Sequence, residues 1–129
     1  MEFGSNQAIY IQIVDYVCEN ILNGNWKPGD KIHAIRTMAV KLEVNPNTIV
    51  RSYSFLQDKD IIYNKRGLGY YIAEDAMLLT RNYKRGEFLN STLPTFFKAI
   101  DLLSIDFHEL KTLYDQYTKN QKTDQPLWF

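Results

Sequence analysis

The sequence has few of the residues from which catalytic and metal centres are built. Cys18 is its only cysteine, which excludes an intrachain disulfide and a metal site made from paired cysteines. Its two histidines, His33 and His108, are far apart in the chain, and neither a glycine-rich phosphate loop nor a nucleophile–base pattern is present. We therefore predict that the protein is not an enzyme and uses no metal or cofactor.

Long hydrophobic runs are absent as well. No apolar stretch approaches the roughly 18 residues that a membrane-spanning helix needs, and the opening residues, MEFGSNQ, are polar and lack the basic start of a secretory signal. We expect a cytoplasmic protein that makes no membrane contact. Cys18 lies in a segment of apolar periodicity, which favours a buried structural thiol over a reactive one.

The formal net charge is zero, but the charge is unevenly distributed. Residues 31–70 carry seven basic and three acidic side chains, a net of +4, whereas residues 74–129 carry seven basic and eight acidic ones, a net of −1. A local basic segment suits a surface that faces a polyanion. A charge difference of this size also arises by chance. Whether residues 31–70 bind a polyanion therefore has to be judged from the motifs within the segment.

Apolar periodicity predicts three helices, at 8–23, 34–42 and 46–59. Asn45 is a favoured N-cap, and Pro46 suits the first helical position because its missing N–H would have no partner there. The second and third helices are separated by about three residues, which is the spacing of a helix-turn-helix.

After the third helix the pattern changes to that of strands. Residues 61–63 and 70–72 are β-type runs, and the glycine-containing segment 65–69 between them predicts a hairpin. Three helices followed by a hairpin predict a winged helix-turn-helix over residues 1–74. The fold class is therefore mainly α with a small β-hairpin wing, and basic Lys65 and Arg66 lie at the wing tip.

Residues 75–120 are predicted to form a short helical region. An apolar seam runs through it in steps of four, three, four and three residues: Leu89, Leu93, Phe96, Ile100 and Leu103. We predict that this helix forms a hairpin with the last helix and that the exposed face of the hairpin packs against its copy, so the seam serves dimerisation. The alternative is an intrachain hairpin that needs no partner. Pro94 should kink or break the helix, Asp106 with Glu109 should begin the last one, and 121–129 should be loosely ordered.

The third helix has two distinct faces on a helical wheel. Ile49, Tyr53 and Leu56 form the predicted core face, and Asn47, Arg51, Ser54 and Asp58 cluster on the opposite side. Asparagine can pair bidentately with adenine and arginine with guanine. The alternative is that Asn45 and Thr48 only cap the helix, while Arg51 lies on a solvated face.

Several short pieces of residues 8–73 occur in a characteristic order and spacing. They are IYIQI (9–13), ILNG (21–24), KPGDKI (27–32), IRTMA (35–39), VNPNTI (44–49), RSY (51–53), LQ (56–57) and RGLGY (66–70). Together they closely resemble the DNA-binding domain of the GntR family of bacterial transcription regulators. The sequence NPNT followed by Arg-x-Tyr is most similar to the YtrA-type branch, whose C-terminal part is a short helical region.

This resemblance implies a regulator that binds double-stranded DNA and controls its own operon, which would encode a transporter. A single winged helix reads only a few base pairs, so we expect a homodimer on a pseudopalindromic operator. We take repression as the default, because a dimer on a promoter most simply blocks polymerase. Arg36 matches a DNA-contacting arginine, and Arg66 and Gly67 match the wing tip that reaches the minor groove. The candidate DNA-binding residues are Arg36, Asn45, Pro46, Asn47, Thr48, Arg51, Lys65, Arg66 and Gly67.

The sequence departs from the family at two places. Ile32-His33-Ala34 stands where the family usually has Leu-Pro-Ser, so the second helix lacks a capping serine and one phosphate contact. His33 could supply a pH-dependent phosphate contact, or it could simply be exposed. Val50 stands where other branches have an arginine, so sequence preference should differ from theirs.

Two further interpretations stay open. The winged helix could bind a protein instead of DNA, in which case no salt-dependent DNA affinity is expected. No motif indicates a small-molecule effector, but aromatic residues of the helical region could line an effector pocket. Aromatic residues at helical spacing more often belong to a core. These residues are Phe88, Phe96, Phe97, Tyr114 and Tyr117.

Overall fold

The computed structural model describes residues 7–121. In chain order the elements are α1 (Ile9–Leu22), α2 (Ile35–Leu42), α3 (Pro46–Asp58), β1 (Ile62–Lys65), β2 (Gly69–Ile72), α4 (Ala76–Glu87), a π-helical turn (Phe88–Thr92), α5 (Leu93–Leu102) and α6 (Phe107–Gln121). The predicted fold class, mainly helical with a small antiparallel hairpin, is confirmed. The chain divides into two units after Arg85.

The core of the first unit lies between the apolar faces of α1, α2 and α3. Ile13, Val17, Met38, Ile49 and Leu56 are all fully buried there. Cys18 is buried too, which confirms the prediction of a structural position. The beginning of α4 closes this core, since Ala76 is buried within it and Leu79 and Tyr83 pack against it.

The turn between α2 and α3 is tight because Glu43 adopts the left-handed conformation at φ 57°. Its N–H and that of Val44 return to carbonyls of the last turn of α2, and Asn45 then begins α3. This confirms the predicted helix-turn-helix. As expected from the missing serine, no side chain caps the start of α2 at Ala34.

The wing is an antiparallel pair with Ile62 opposite Ile72 and Lys65 opposite Gly69. The first strand begins one residue later than predicted and extends to Lys65 because the turn is short. The Leu68 N–H closes it on the Lys65 carbonyl at 2.8 Å. Lys31 adds an isolated bridge to Tyr71, which ties the loop before α2 to the hairpin.

Over residues 86–121 the second unit is helical apart from the four-residue link 103–106 between α5 and α6. Pro94 was predicted to kink or break the helix, and α4 does give way to the π-helical turn just before it. The Leu93 N–H bonds to the Phe88 carbonyl in the wider π pattern, so α5 begins with the proline in its first turn.

The last helix begins as predicted. Asp106 Oδ1 accepts a hydrogen bond from the Glu109 N–H at 2.8 Å, which is half of a capping box. The predicted loosely ordered segment lies outside the described residues, apart from Gln121 at the end of α6. In the part of the chain that is described, no helix has the length and apolar character needed to cross a membrane.

Candidate nucleic-acid interface

The two faces predicted for α3 are confirmed by its burial. Ile49, Tyr53 and Leu56 are buried, as is Ser52 beside them. The polar side, which holds Asn47, Arg51, Ser54 and Asp58, is exposed. The polar residues of α3 therefore face solvent along one side of the helix.

Tyr53 fixes the orientation of α3. Its side chain is fully buried, and its hydroxyl donates to the His33 carbonyl at 2.7 Å. Its ring meets the Tyr70 ring edge-on, with 4.8 Å between centroids. Burial raises the pKa of Tyr53, and Tyr70 and Tyr16 raise it further, so the hydroxyl stays protonated and keeps donating. One residue thus ties α3 to the loop before α2 and to the wing.

The first turn of α3 presents two asparagines in different states. The Asn45 side-chain oxygen accepts from the Asn47 N–H at 2.8 Å, so the predicted capping role is confirmed. The Asn47 side chain is exposed, and within residues 7–121 its amide makes no hydrogen bond. Asn47 can therefore use both its oxygen and its NH₂ group on a ligand.

Arg51 lies one turn further along the same side. Its guanidinium carbon lies 3.8 Å from the centroid of the Tyr10 ring, which α1 supplies. Asn47, Thr48, Arg51 and Tyr10 line one open depression on the surface. Tyr10 was not predicted as a site residue, because only the packing of α1 against α3 brings it under Arg51.

Arg36 is exposed in the first turn of α2. It lines a second open depression at the junction of α2 and α3, together with Pro46. The structure therefore places Arg36 beside the start of α3, as the helix-turn-helix arrangement requires.

The wing tip holds the remaining candidates. Gly67 has φ +78°, a conformation that costs a residue with a side chain more than it costs glycine. Lys65 ends β1 and Arg66 begins the turn, and both side chains are exposed. The Lys65 ammonium lies 5.4 Å from the centroid of the Tyr71 ring, and the Tyr71 ring is itself stacked on Tyr63.

The basic candidates share one electrostatic property. Among the described residues, none of these four cations has an ion-pair partner: Arg36, Arg51, Lys65 and Arg66. By contrast, Lys84 of α4 is paired with Asp15 at 2.8 Å. Unpaired exposed cations keep their full charge for a phosphate backbone.

The predicted seam belongs to the second unit. Its residues are only partly covered in the single chain: Leu89, Phe96 and Leu103 are exposed, and Leu93 and Ile100 are half-buried. No group of metal-ligating side chains occurs in the described part of the chain.

The chain matches known proteins in this region. A family model described as bacterial regulatory proteins, gntR family, matches residues 9–72. The HTH-type transcriptional repressor YtrA of Bacillus subtilis is 42% identical over 72 residues, which cover 56% of this chain and 55% of that protein. The chain spans 64% of a second Bacillus subtilis regulator.

Solved structures extend the similarity beyond the DNA-binding domain. A GntR-family regulator from Bacteroides thetaiotaomicron is 36% identical with a TM-score of 0.74, covering 88% of this chain and 99% of that one. YtrA from Sulfolobus acidocaldarius, a GntR-family transcription factor, is 32% identical with a TM-score of 0.57, covering 71% of this chain and 94% of that one.

The matched family and these relatives are transcription regulators, which confirms the prediction that this chain is not an enzyme. All the quoted motifs, from IYIQI (9–13) to RGLGY (66–70), fall within the matched segment. The chain belongs to the GntR family of bacterial transcription regulators, is similar to its YtrA-like members, and carries the family's DNA-binding domain.

Proposed function

We propose that this regulator is a repressor that binds a pseudopalindromic operator as a homodimer, reading bases with α3 and contacting phosphate through the wing. One observation carries the proposal. The N-terminal half of α3 presents exposed hydrogen-bonding side chains that lack partners among the described residues, on a helix fixed by buried Tyr53. A helix of this kind fits the major groove with its N-terminal residues against base edges.

Within this set, we assign the adenine-reading role to Asn47 instead of Asn45. A bidentate contact with adenine uses the amide oxygen and the NH₂ group together. The Asn45 oxygen already caps the helix, whereas both groups of Asn47 are free of hydrogen bonds to the described residues. Asn45 then contributes to binding by holding the first turn of α3 in shape.

Arg51 reads a guanine in this arrangement, and Thr48 borders the same depression. Arg36 at the start of α2 and the wing-tip residues Lys65, Arg66 and Gly67 supply contacts to phosphate and to the minor groove. Arginine is attracted there because a narrow minor groove has an enhanced negative potential.

Two considerations support repression by a dimer. Bacillus subtilis YtrA, a transcriptional repressor, shares 42% identity with the aligned residues. A single winged helix reads only a short site, so useful specificity needs two copies on related half-sites. The exposed seam of the second unit offers the surface for pairing, and a dimer bound at a promoter blocks polymerase access. The genes under control would be its own operon, which would encode a transporter.

The first test is fluorescence anisotropy with the duplex upstream of the protein's own gene, beside a scrambled duplex, at several salt concentrations. We expect tight binding to the upstream duplex alone, with log affinity falling steeply against log salt. Equal weak binding to both would remove autoregulation from the proposal. No binding to either at low salt would favour the alternative that the winged helix contacts a protein.

A pair of variants separates base reading from charge. Arg51→Ala should weaken specific binding by roughly 1–3 kcal/mol while the scrambled duplex is affected less. The matched control is Arg81→Ala, which removes the same charge from an exposed position on α4. If both variants lose the same affinity on both duplexes, Arg51 contributes charge and does not read a base.

Lys65→Ala addresses the wing. We expect it to weaken all DNA sequences alike and to reduce the salt slope by about one unit, because one phosphate contact is lost. A loss confined to the specific duplex would reassign Lys65 to base reading.

A further inference from the structure

The Arg51–Tyr10 stack has a consequence for DNA reading. Arg51 is the exposed partner, Tyr10 is half-buried, and the guanidinium carbon lies 3.8 Å from the ring centroid. None of the described residues accepts a hydrogen bond from this guanidinium. Its face is therefore occupied by the ring, while its N–H groups remain available at the edge.

Both the backbone and the ring of Tyr10 contact α3. The Ser52 hydroxyl donates to the Tyr10 carbonyl at 2.8 Å, and Ser52 is fully buried. The same hydroxyl approaches the Thr48 carbonyl at 3.0 Å. Phe55 meets the Tyr10 ring edge-to-face, with 6.5 Å between centroids. The platform under Arg51 is thus attached to the helix that carries Arg51.

A platform of this kind lowers the entropic cost of using an arginine. An exposed arginine side chain samples many rotamers and loses that freedom when it binds a base. Stacking on a fixed ring restricts the guanidinium before DNA arrives. The major-groove edge of guanine offers two acceptors, O6 and N7, which a guanidinium held in one plane can contact together.

We propose that Tyr10 is a positioning residue that holds the Arg51 guanidinium for a guanine at one position of the operator half-site. This inference rests on the proposed reading of DNA by α3. Tyr10 acts through Arg51 and needs no contact with DNA itself. Discrimination for guanine at that position therefore depends on an aromatic ring contributed by α1.

The test uses the full chain and begins with selection from a random duplex library. Selection with the wild type yields the preferred sequence. The same selection with Arg51→Ala identifies the position at which guanine is no longer preferred. Anisotropy then measures each variant on the preferred duplex and on a duplex with adenine at that position. The ratio of the two affinities is the readout, since it does not depend on the fraction of folded protein.

Tyr10→Leu should reduce this ratio by about 2- to 5-fold, the range expected for one exposed cation–π contact. Tyr10→Phe keeps the ring and should retain the wild-type ratio. In the Arg51→Ala background, Tyr10→Leu should leave the ratio unchanged, because no guanidinium remains to be positioned.

Three results would overturn the inference. An unchanged ratio in Tyr10→Leu means that the ring positions nothing. A higher ratio means that the stack holds Arg51 away from DNA. Equal reductions with and without Arg51 mean that Tyr10 contacts the base itself. If the wild-type chain selects no sequence at all, the proposed function fails together with the inference. The three results above overturn the inference alone and leave the proposed function intact.

Discussion

The two units of this chain differ in how they bury apolar surface. Residues up to Arg85 enclose a core in which every helix and both strands contribute buried side chains. From Gly86 to Gln121, no residue is buried in the single chain. Leu102, Leu103 and Phe107 are 85%, 69% and 76% exposed at the end of α5 and the start of α6.

This difference follows from what each segment can enclose. Three helices crossing one another with a hairpin behind them surround a common interior. Two successive helices with apolar residues on several sides cannot cover them all. Large exposed apolar patches mark interaction sites, so the first unit has the means to be stable alone, while the second suits association. Four experiments test this contrast.

The largest effect is expected in the first unit. Tyr53→Ala should lower the free energy of unfolding by about 3–5 kcal/mol, because it leaves a large cavity and removes the hydrogen bond to His33. Urea unfolding followed by circular dichroism measures it. Tyr114→Ala, at an exposed aromatic of the second unit, is the matched control and should cost far less in the monomer. Equal losses of unfolding free energy in the two variants would mean that the two units do not differ in how much their aromatic side chains contribute to stability.

The next effect concerns the seam. Leu103→Glu should raise the dissociation constant of the proposed dimer by about 100-fold, because pairing would bury two carboxylates. Sedimentation equilibrium measures the change. Lys98→Glu serves as the control. It changes the net charge by more than Leu103→Glu does, but residue 98 lies on the opposite side of α5 from the seam. A monomeric wild-type protein, or equal effects of both variants, would contradict dimerisation through the seam.

A smaller effect is expected in alkaline solution. Burial raises the folded-state pKa of Tyr53, whereas an unfolded tyrosine titrates near pH 10. Above about pH 10 the unfolded chain releases a proton that the folded chain keeps, so the free energy of unfolding falls by up to about 1.4 kcal/mol per pH unit.

Tyr53→Phe lacks this titration and isolates it. The stability advantage of the wild type over this variant should be constant below about pH 9 and should shrink between about pH 10 and about pH 11. Chemical unfolding at each pH supplies both values. A constant difference across the whole range would mean that Tyr53 ionises equally in both states.

The smallest effect is expected when the second unit is removed. Residues 1–85 alone should unfold cooperatively. Their free energy of unfolding should lie within about 0.5 kcal/mol of the free energy of unfolding of the same residues in the full chain. Calorimetry on both proteins tests this. Loss of the cooperative transition would mean that the second unit is needed for the stability of the first.

Local patterns were sufficient to predict much of this protein. The buried side of α3, the cap at Asn45 and the helix break at Pro94 each depend on neighbours within a few residues, which is why periodicity and capping rules reach them. The hairpin was predicted from its β-type runs, although its first strand begins at Ile62, one residue later. The resemblance of residues 8–73 to a family added the DNA-binding role, which periodicity alone cannot specify.

Other features were decided by contacts between distant parts of the chain. The place of Tyr10 under Arg51 depends on how α1 packs against α3, and the bond from Tyr53 to His33 joins α3 to a loop. The π-helical turn and the inclusion of the start of α4 in the first core are likewise absent from any local pattern. The helices and strands and their apolar faces could be predicted from the sequence, because they depend on periodicity and chain sterics. Which polar side chains already make hydrogen bonds or ring contacts is known only from the tertiary structure, because these contacts depend on distances that sequence separation does not encode.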